Sequence, residues 1–135
     1  MSADSFLDTN VLVYANSRDD YRTDIARQLL LSGGVVGVQV LNEFAAVARA
    51  KLGFAWAEVQ EAIENIVILC PNPRPLTVEI HLRALGLSKR YGFSIWDGLI
   101  VAAAAGAGCS KLLTEDLQHG QILEGLRIEN PFRSA

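Results

Sequence analysis

Apolar residues in this chain form short continuous runs, separated by helix-length stretches where they recur every three or four positions. Ser5 to Asp8 predicts a short buried strand, and Val11 to Asn16 opens a helix behind it. Arg18-Asp19-Asp20-Tyr21-Arg22 reads as a polar connection. A second helix starts at Asp20 or Thr23, carries Ile25, Leu29 and Leu30 on one side and ends at Ser32-Gly33-Gly34. The β-branched run Val35-Val36-Gly37-Val38 predicts a second buried strand. From Val40 to Leu52 a helix places Leu41, Phe44, Ala45, Ala48 and Leu52 on one stripe, with Glu43 nearly opposite, beside Val40 and Val47. Beyond Gly53 a helix runs from Trp56 to about Ile66, and Ile66-Val67-Ile68-Leu69-Cys70 reads as a short strand. Pro71, Pro73 and Pro75 then force a loop, since neither element continues through them. Leu76 to Tyr91 is an amphipathic helix (Ile80, Leu82, Leu85, Leu87) ended by Gly92, and Ser94 to Ala107 is an alanine-rich one. Lys111 to Thr114 predicts a strand that stops at Glu115-Asp116, and Leu126 to Asn130 alternates like an edge strand closed by Pro131.

Short strands alternating with helices give an α/β domain with a short, mainly parallel sheet of about four or five strands, covered by helices on both faces. At 135 residues the chain suits one domain, residues 1–135, with a core that needs no disulfide staples. Its longest uncharged small-residue stretch, Gly98 to Ser110, is shorter than the about 20 apolar residues that cross a bilayer. No secretion signal opens it, and Cys70 and Cys109 fit no metal or redox spacing. A cytoplasmic protein with reduced core thiols is expected. The net charge of −3 argues against nucleic-acid binding by bulk positive charge. Setting aside four acids for a metal site leaves the remainder slightly positive, so a phosphate-bearing substrate stays compatible once cations are present.

Four acids carry the candidate chemistry. Asp8 lies between apolar runs at the carboxyl end of the first strand, where open α/β sheets place their ligands. Asp116 follows the strand Lys111 to Thr114, Asp97 sits in the first turn of the alanine-rich helix, and Glu43 lies near the start of the helix after the second predicted strand. Each has a plainer explanation: Asp8 or Asn10 caps the following helix, Ser94-x-x-Asp97 has capping-box spacing, Asp116 caps the turn at Leu117 to His119, and a helical Glu usually faces solvent. Yet in a parallel sheet all four map to one edge. Four converging carboxylates repel and protonate unless hard divalent cations, Mg²⁺ or Mn²⁺, neutralise them. Such sites support phosphodiester hydrolysis.

The segments Phe6-Leu7-Asp8-Thr9-Asn10-Val11-Leu12-Val13-Tyr14-Ala15, Leu41-Asn42-Glu43-Phe44, Trp96-Asp97-Gly98-Leu99-Ile100-Val101-Ala102-Ala103-Ala104 and Leu113-Thr114-Glu115-Asp116-Leu117 closely resemble the PIN-domain nucleases, above all the VapC-like toxins of toxin–antitoxin pairs. The resemblance implies a PIN-like domain acting as a Mg²⁺- or Mn²⁺-dependent endoribonuclease that leaves 3′-hydroxyl and 5′-phosphate ends. Its acidic quartet would be Asp8, Glu43, Asp97 and Asp116, with Asp8 and Asp97 the principal metal ligands and Thr9, Asn10 and Ser94 orienting ligands and waters. Asp116 rather than the adjoining Glu115 matches the fourth position. The resemblance also implies a homodimer and inhibition by a small antitoxin laid along the active-site groove.

Among the basic residues, Arg49, Lys51, Lys89, Arg90 and Lys111 are candidate phosphate contacts or solvated charges. Trp96 could stack on a base or pack in the core, and His119 could be a ligand, a proton shuttle or a turn residue. His81 reads as structural, and Asp19, Asp20 and Asp24 read as caps and a solvated loop. Two other functions fit parts of the pattern: a non-catalytic module binding RNA or protein, and a small phosphatase with Asp8 as nucleophile. The latter lacks a second Asp two residues on, where Asn10 stands.

Overall fold

The computed structural model describes residues 4–18 and 20–133. Three of its strands are parallel: β1 (Ser5–Leu7) pairs with β2 (Lys111–Leu113), and β2 with β4 (Leu126–Glu129). The short β3 (Ile122–Leu123) runs antiparallel to β4, and the order across the sheet is β1-β2-β4-β3. Phe6, Leu7, Leu112 and Leu113 are all buried, so β1 and β2 are covered on both faces, as an apolar run without alternation requires. β4 alternates Leu126 and Ile128 inside with Arg127 and Glu129 outward. It is nonetheless interior, with β3 forming the edge: alternation reports an open face and says nothing about pairing.

Among the described residues six helices complete the fold: α1 (Thr9–Ala15), α2 (Arg22–Leu31), α3 (Val38–Ala50), α4 (Trp56–Leu69), α5 (Val78–Tyr91) and α6 (Ile95–Gly106). The expected second strand at Val35 to Val38 is not formed. Val35 makes a single parallel bridge to Phe6, and Gly37 one to Arg74. Gly37 is already the N-cap of α3, so the helix takes the residues a strand would need. The bridge still seats the start of α3 beside β1: Leu7 N–H donates to Val35 O, and Val35 N–H to Ser5 O, both at 2.9 Å. A side chain at Gly34 would come within 3.2 Å of Leu7 Cγ and Ser5 O, which is why glycine precedes this approach.

The strand expected at Ile66 to Cys70 is also absent, because α4 continues through it to Leu69. No breaker stands between Trp56 and Pro71, and extending a formed helix costs less than starting a strand with no partner. Ile66 and Cys70 face the core while Ile68 is 75% exposed. α2 buries Thr23, Ala26 and Leu30, leaving Ile25 at the surface. In α5, Ala84 and Leu87 face inward with Ile80 packed beside them, so Leu82 and Leu85, with Val78, form an outward apolar stripe. α5 and α6 pack closely at Gly98, where a Cβ would fall on the Ser88 hydroxyl and 2.8 Å from Ala84 O. Neither cysteine is in a disulfide, and no helix among the described residues is long and apolar enough to cross a membrane.

Candidate active site

The carboxyl ends of β1 and β2 and the amino-terminal turns of α1, α3 and α6 meet at one groove, a cavity of about 530 Å³. Asp8, Glu43, Asp97 and Asp116 all line it, with Thr9 and Asn10 between them. Asp8 performs two tasks that the sequence presents as alternatives. As N-cap of α1 its Oδ1 accepts from Thr9 N–H at 2.7 Å, and it also faces the groove. Its Oδ2 accepts from the Thr114 hydroxyl at 2.7 Å. Only 5% of Asp8 is exposed. Burial pushes its pKa up to about 6; Asp116 and Glu43 add to the rise, while the bonds from Thr114 and Thr9 oppose it.

Glu43 lies in the second turn of α3 and is half-buried; its Oε2 accepts from the Thr9 hydroxyl at 3.0 Å. Burial raises its pKa, and the charges of Asp97 and Asp116 raise it further. Asp97 occupies the third helical position of α6, where its backbone N–H donates to the capping Ser94 hydroxyl at 3.1 Å. Burial and then the Asp116 charge raise its pKa too, against the pull of Ser94. Ser94 therefore sets the helix start that carries Asp97, and does not itself line the groove. Asp116 is the exposed member; its Oδ2 accepts from Asn10 Nδ2 at 3.2 Å.

Thr114, read from the sequence only as a strand end, is the hub of this arrangement. Fully buried, its hydroxyl donates to Asp8 and accepts from Asn10 Nδ2 at 3.3 Å and from Asp116 N–H at 3.0 Å. One oxygen thus ties β1, α1 and the loop after β2. The available signal was a lone hydroxyl ending the apolar run Leu112-Leu113, two residues before an acid. Glu115 points elsewhere: it accepts from the Tyr14 hydroxyl and pairs with Arg22 at 3.3 Å, and Arg22 also holds Asp20 at 2.8 Å. Arg22 lies over the Tyr14 ring, 4.0 Å from its centroid. This strut fixes the Glu115 backbone beside Asp116 and leaves Asp116 alone to face the groove.

The remaining candidates separate clearly. Lys51 lines the groove and makes no ion pair among the described residues. Arg49 donates to Phe54 O and covers the Trp56 ring, Arg90 pairs with Glu124, and Lys111 pairs with Glu129; none lines the groove, nor does the exposed Lys89. His119 Nδ1 accepts from Asn130 N–H at 3.0 Å and the residue does not line the groove, so it is a turn residue. His81 is exposed on α5, Asp20 caps the approach to α2 through Arg22 N–H, and Asp24 is exposed; Asp19 lies outside the described residues. Trp96 is 57% exposed on the groove wall rather than packed in the core.

The donor set is uniformly hard oxygen, and the buried Asn10 Oδ1 has no partner. Both features fit Mg²⁺ or Mn²⁺. As placed, no three His, Cys, Asp or Glu side chains among the described residues gather tightly enough to hold an ion by themselves.

The PIN domain family model matches residues 5–122. Among solved structures, the crystal structure of Mycobacterium tuberculosis VapC20, a sarcin–ricin loop cleaving toxin, superposes with a TM-score of 0.66. It is 18% identical, over 83% of this chain and 91% of that one, so the likeness is one of fold. No curated protein matches in sequence. The family match covers most of the chain, and the protein belongs to the PIN-domain family.

Proposed function

We propose that the protein is a divalent-metal-dependent endoribonuclease, the toxin of a toxin–antitoxin pair. The observation that carries this reading is the convergence of Asp8, Glu43, Asp97 and Asp116 on one groove, three of them with raised pKa values. Carboxylates assembled against their mutual repulsion are a cost to the fold, and one that bound cations relieve. A divalent cation held there supplies Lewis acidity toward a phosphate oxygen and lowers the pKa of a water. Asp8 and Asp97 are its principal holders, with Glu43 and Asp116 completing the acidic rim.

The protein's own groups supply the alignment. Thr114 and Thr9 N–H fix both Asp8 oxygens, the Thr9 hydroxyl orients Glu43, and Asn10 orients Asp116. Asp8, Glu43 and Asp116 are thereby oriented before substrate arrives, which reduces reorganisation in the reaction. Asn10, where a phosphatase of this pattern needs a second Asp, weighs against the phosphatase reading.

RNA as substrate draws on the likeness to VapC20, a sarcin–ricin loop cleaving toxin, and a cytoplasmic location and a small antitoxin partner are part of the same proposal. The outward stripe Val78, Leu82 and Leu85 on α5 supports a homodimer, since an apolar helix face is seldom left in water.

Purified protein, freed of any partner, is incubated with structured cellular RNA and Mg²⁺ or Mn²⁺, with EDTA and Asp8→Asn as controls. Discrete cuts with 5′-phosphate and 3′-hydroxyl ends, lost in both controls, are expected. Cutting that survives EDTA, 2′,3′-cyclic phosphate ends, or no cutting of any RNA would overturn the proposal.

A further inference from the structure

The groove continues past its acids. From Glu43, the α3 face that lines it runs through Ala46 and Val47 to Lys51, two turns further on, and Val13 and Ile100 complete an apolar floor. Trp96 also lines the groove, mostly exposed and adjacent in sequence to Asp97. A large aromatic ring in a groove with an apolar floor, which also holds a cation without a carboxylate partner among the described residues, is not explained by the acids or by packing. A metal site needs neither group, and burying Trp96 in the core would stabilise the fold more than leaving it in water.

We infer that Trp96 and Lys51 form a subsite for an unpaired nucleotide next to the scissile phosphate, the ring stacking on its base and the ammonium meeting a neighbouring phosphate. This rests on the nuclease reading and narrows its substrate class. Charge complementarity favours a nucleic-acid strand here: the ring's face accepts any base, and Lys51 lies far enough along α3 to leave the acid cluster unneutralised. A base can stack on Trp96 only when it has left its own helix. The protein therefore selects loops, bulges and single strands, and refuses continuous duplex.

Trp96 and Trp56 are the chain's two tryptophans, so Trp56→Phe leaves Trp96 as the sole indole reporter. With Asp8→Asn added to stop turnover, this protein is titrated in Mg²⁺ with a short single-stranded oligoribonucleotide. Trp96 emission and the anisotropy of a labelled strand are followed together. Saturable quenching of Trp96 that tracks binding is expected, and the same strand annealed to its complement should quench far less. Adding Trp96→Ala should weaken binding about 10- to 100-fold, while Trp96→Phe keeps most of it. Lys51→Gln should lower the salt dependence by roughly one phosphate contact.

Binding without a change in Trp96 emission, unchanged affinity in Trp96→Ala, or no binding of the strand would overturn the subsite. So would a Trp96→Ala protein that cleaves RNA fully but no longer binds its protein inhibitor, which would assign the ring to that partner. Cleavage by the unmodified protein is scored separately. The nuclease reading can thus survive failure of the subsite, and quenching without cleavage would leave the subsite standing on a binding module.

Discussion

Asp8→Asn should make the metal-free protein more stable at neutral pH while removing its function. Burial pushes the Asp8 pKa from 3.8 up to about 6, so above that pH the folded state carries a carboxylate it holds unfavourably. The sign follows from proton counting. Between about 4 and 6 the folded state binds the proton more tightly than the unfolded chain does, so stability falls as pH rises through this window and stays low above it. A shift of about two pKa units corresponds to about 3 kcal/mol at pH 7.5. Asparagine escapes that cost and can still accept from Thr9 N–H. Its Nδ2 meets a Thr114 hydroxyl already accepting two donors, so the amide and the hydroxyl both lose a partner, a loss of about 1–2 kcal/mol. A net gain of about 1–2 kcal/mol remains, or roughly 3–8 °C in Tm for a chain of this length. The assay is thermal unfolding in EDTA at pH 5 and pH 7.5 for both proteins, repeated with saturating Mg²⁺. Taking the difference between variant and parent cancels the titrating groups that do not interact with Asp8, leaving Asp8 and its coupling to Asp116 and Glu43. Mg²⁺ should raise the parent's Tm at pH 7.5 more than at pH 5, and that of Asp8→Asn much less. An Asp8→Asn protein no more stable than the parent in EDTA at pH 7.5, with parallel pH profiles, would refute the claim that this carboxylate is held against its own solvation.

Three further outcomes follow from the geometry. Thr114→Val keeps the shape but strands Asp8 Oδ2 and Asp116 N–H and leaves Asn10 Nδ2 only its bond to Asp116, so urea unfolding should show a loss of about 2–3 kcal/mol and cleavage should fall with it. Asp116→Ala should lower kcat about 100-fold or more, whereas Glu115→Ala, which loses only the contacts to Tyr14 and Arg22, should stay within about tenfold; equal effects would return Glu115 to the site. Gly98→Ala forces a methyl into the α5–α6 contact and should cost about 1–3 kcal/mol in thermal or denaturant unfolding, with no residue of the groove touched.

What the sequence disclosed, and what it hid, divides along one physical line. Where a residue's environment is set by its own segment, the pattern shows it: Asp8 behind Phe6 and Leu7, Ser94 three residues before Asp97, and Gly92 at φ 77° closing α5. Where the environment is set by another segment, the local pattern misleads. Ile66 to Cys70 has strand composition but no vacant sheet edge, and the unbroken helix before it wins. Val35 to Val38 has a neighbour in β1 yet yields to the start of α3 at Gly37, so a single bridge to β1 is what remains of that pairing. Leu126 to Glu129 alternates because one face is open, while its pairing is decided by β2 and β3. Glu43 is the sharpest case. Helical periodicity alone assigns it to solvent, and only the meeting of α3 with α1, through the Thr9 hydroxyl, brings it to the acids. Thr114 was hidden for the same reason, since its three polar partners come from β1, α1 and its own loop, and no single stretch of sequence contains them. A groove of this kind is legible in sequence as its acids and illegible as the hydroxyls that hold them, because an acid in an apolar run is conspicuous and a buried threonine is not.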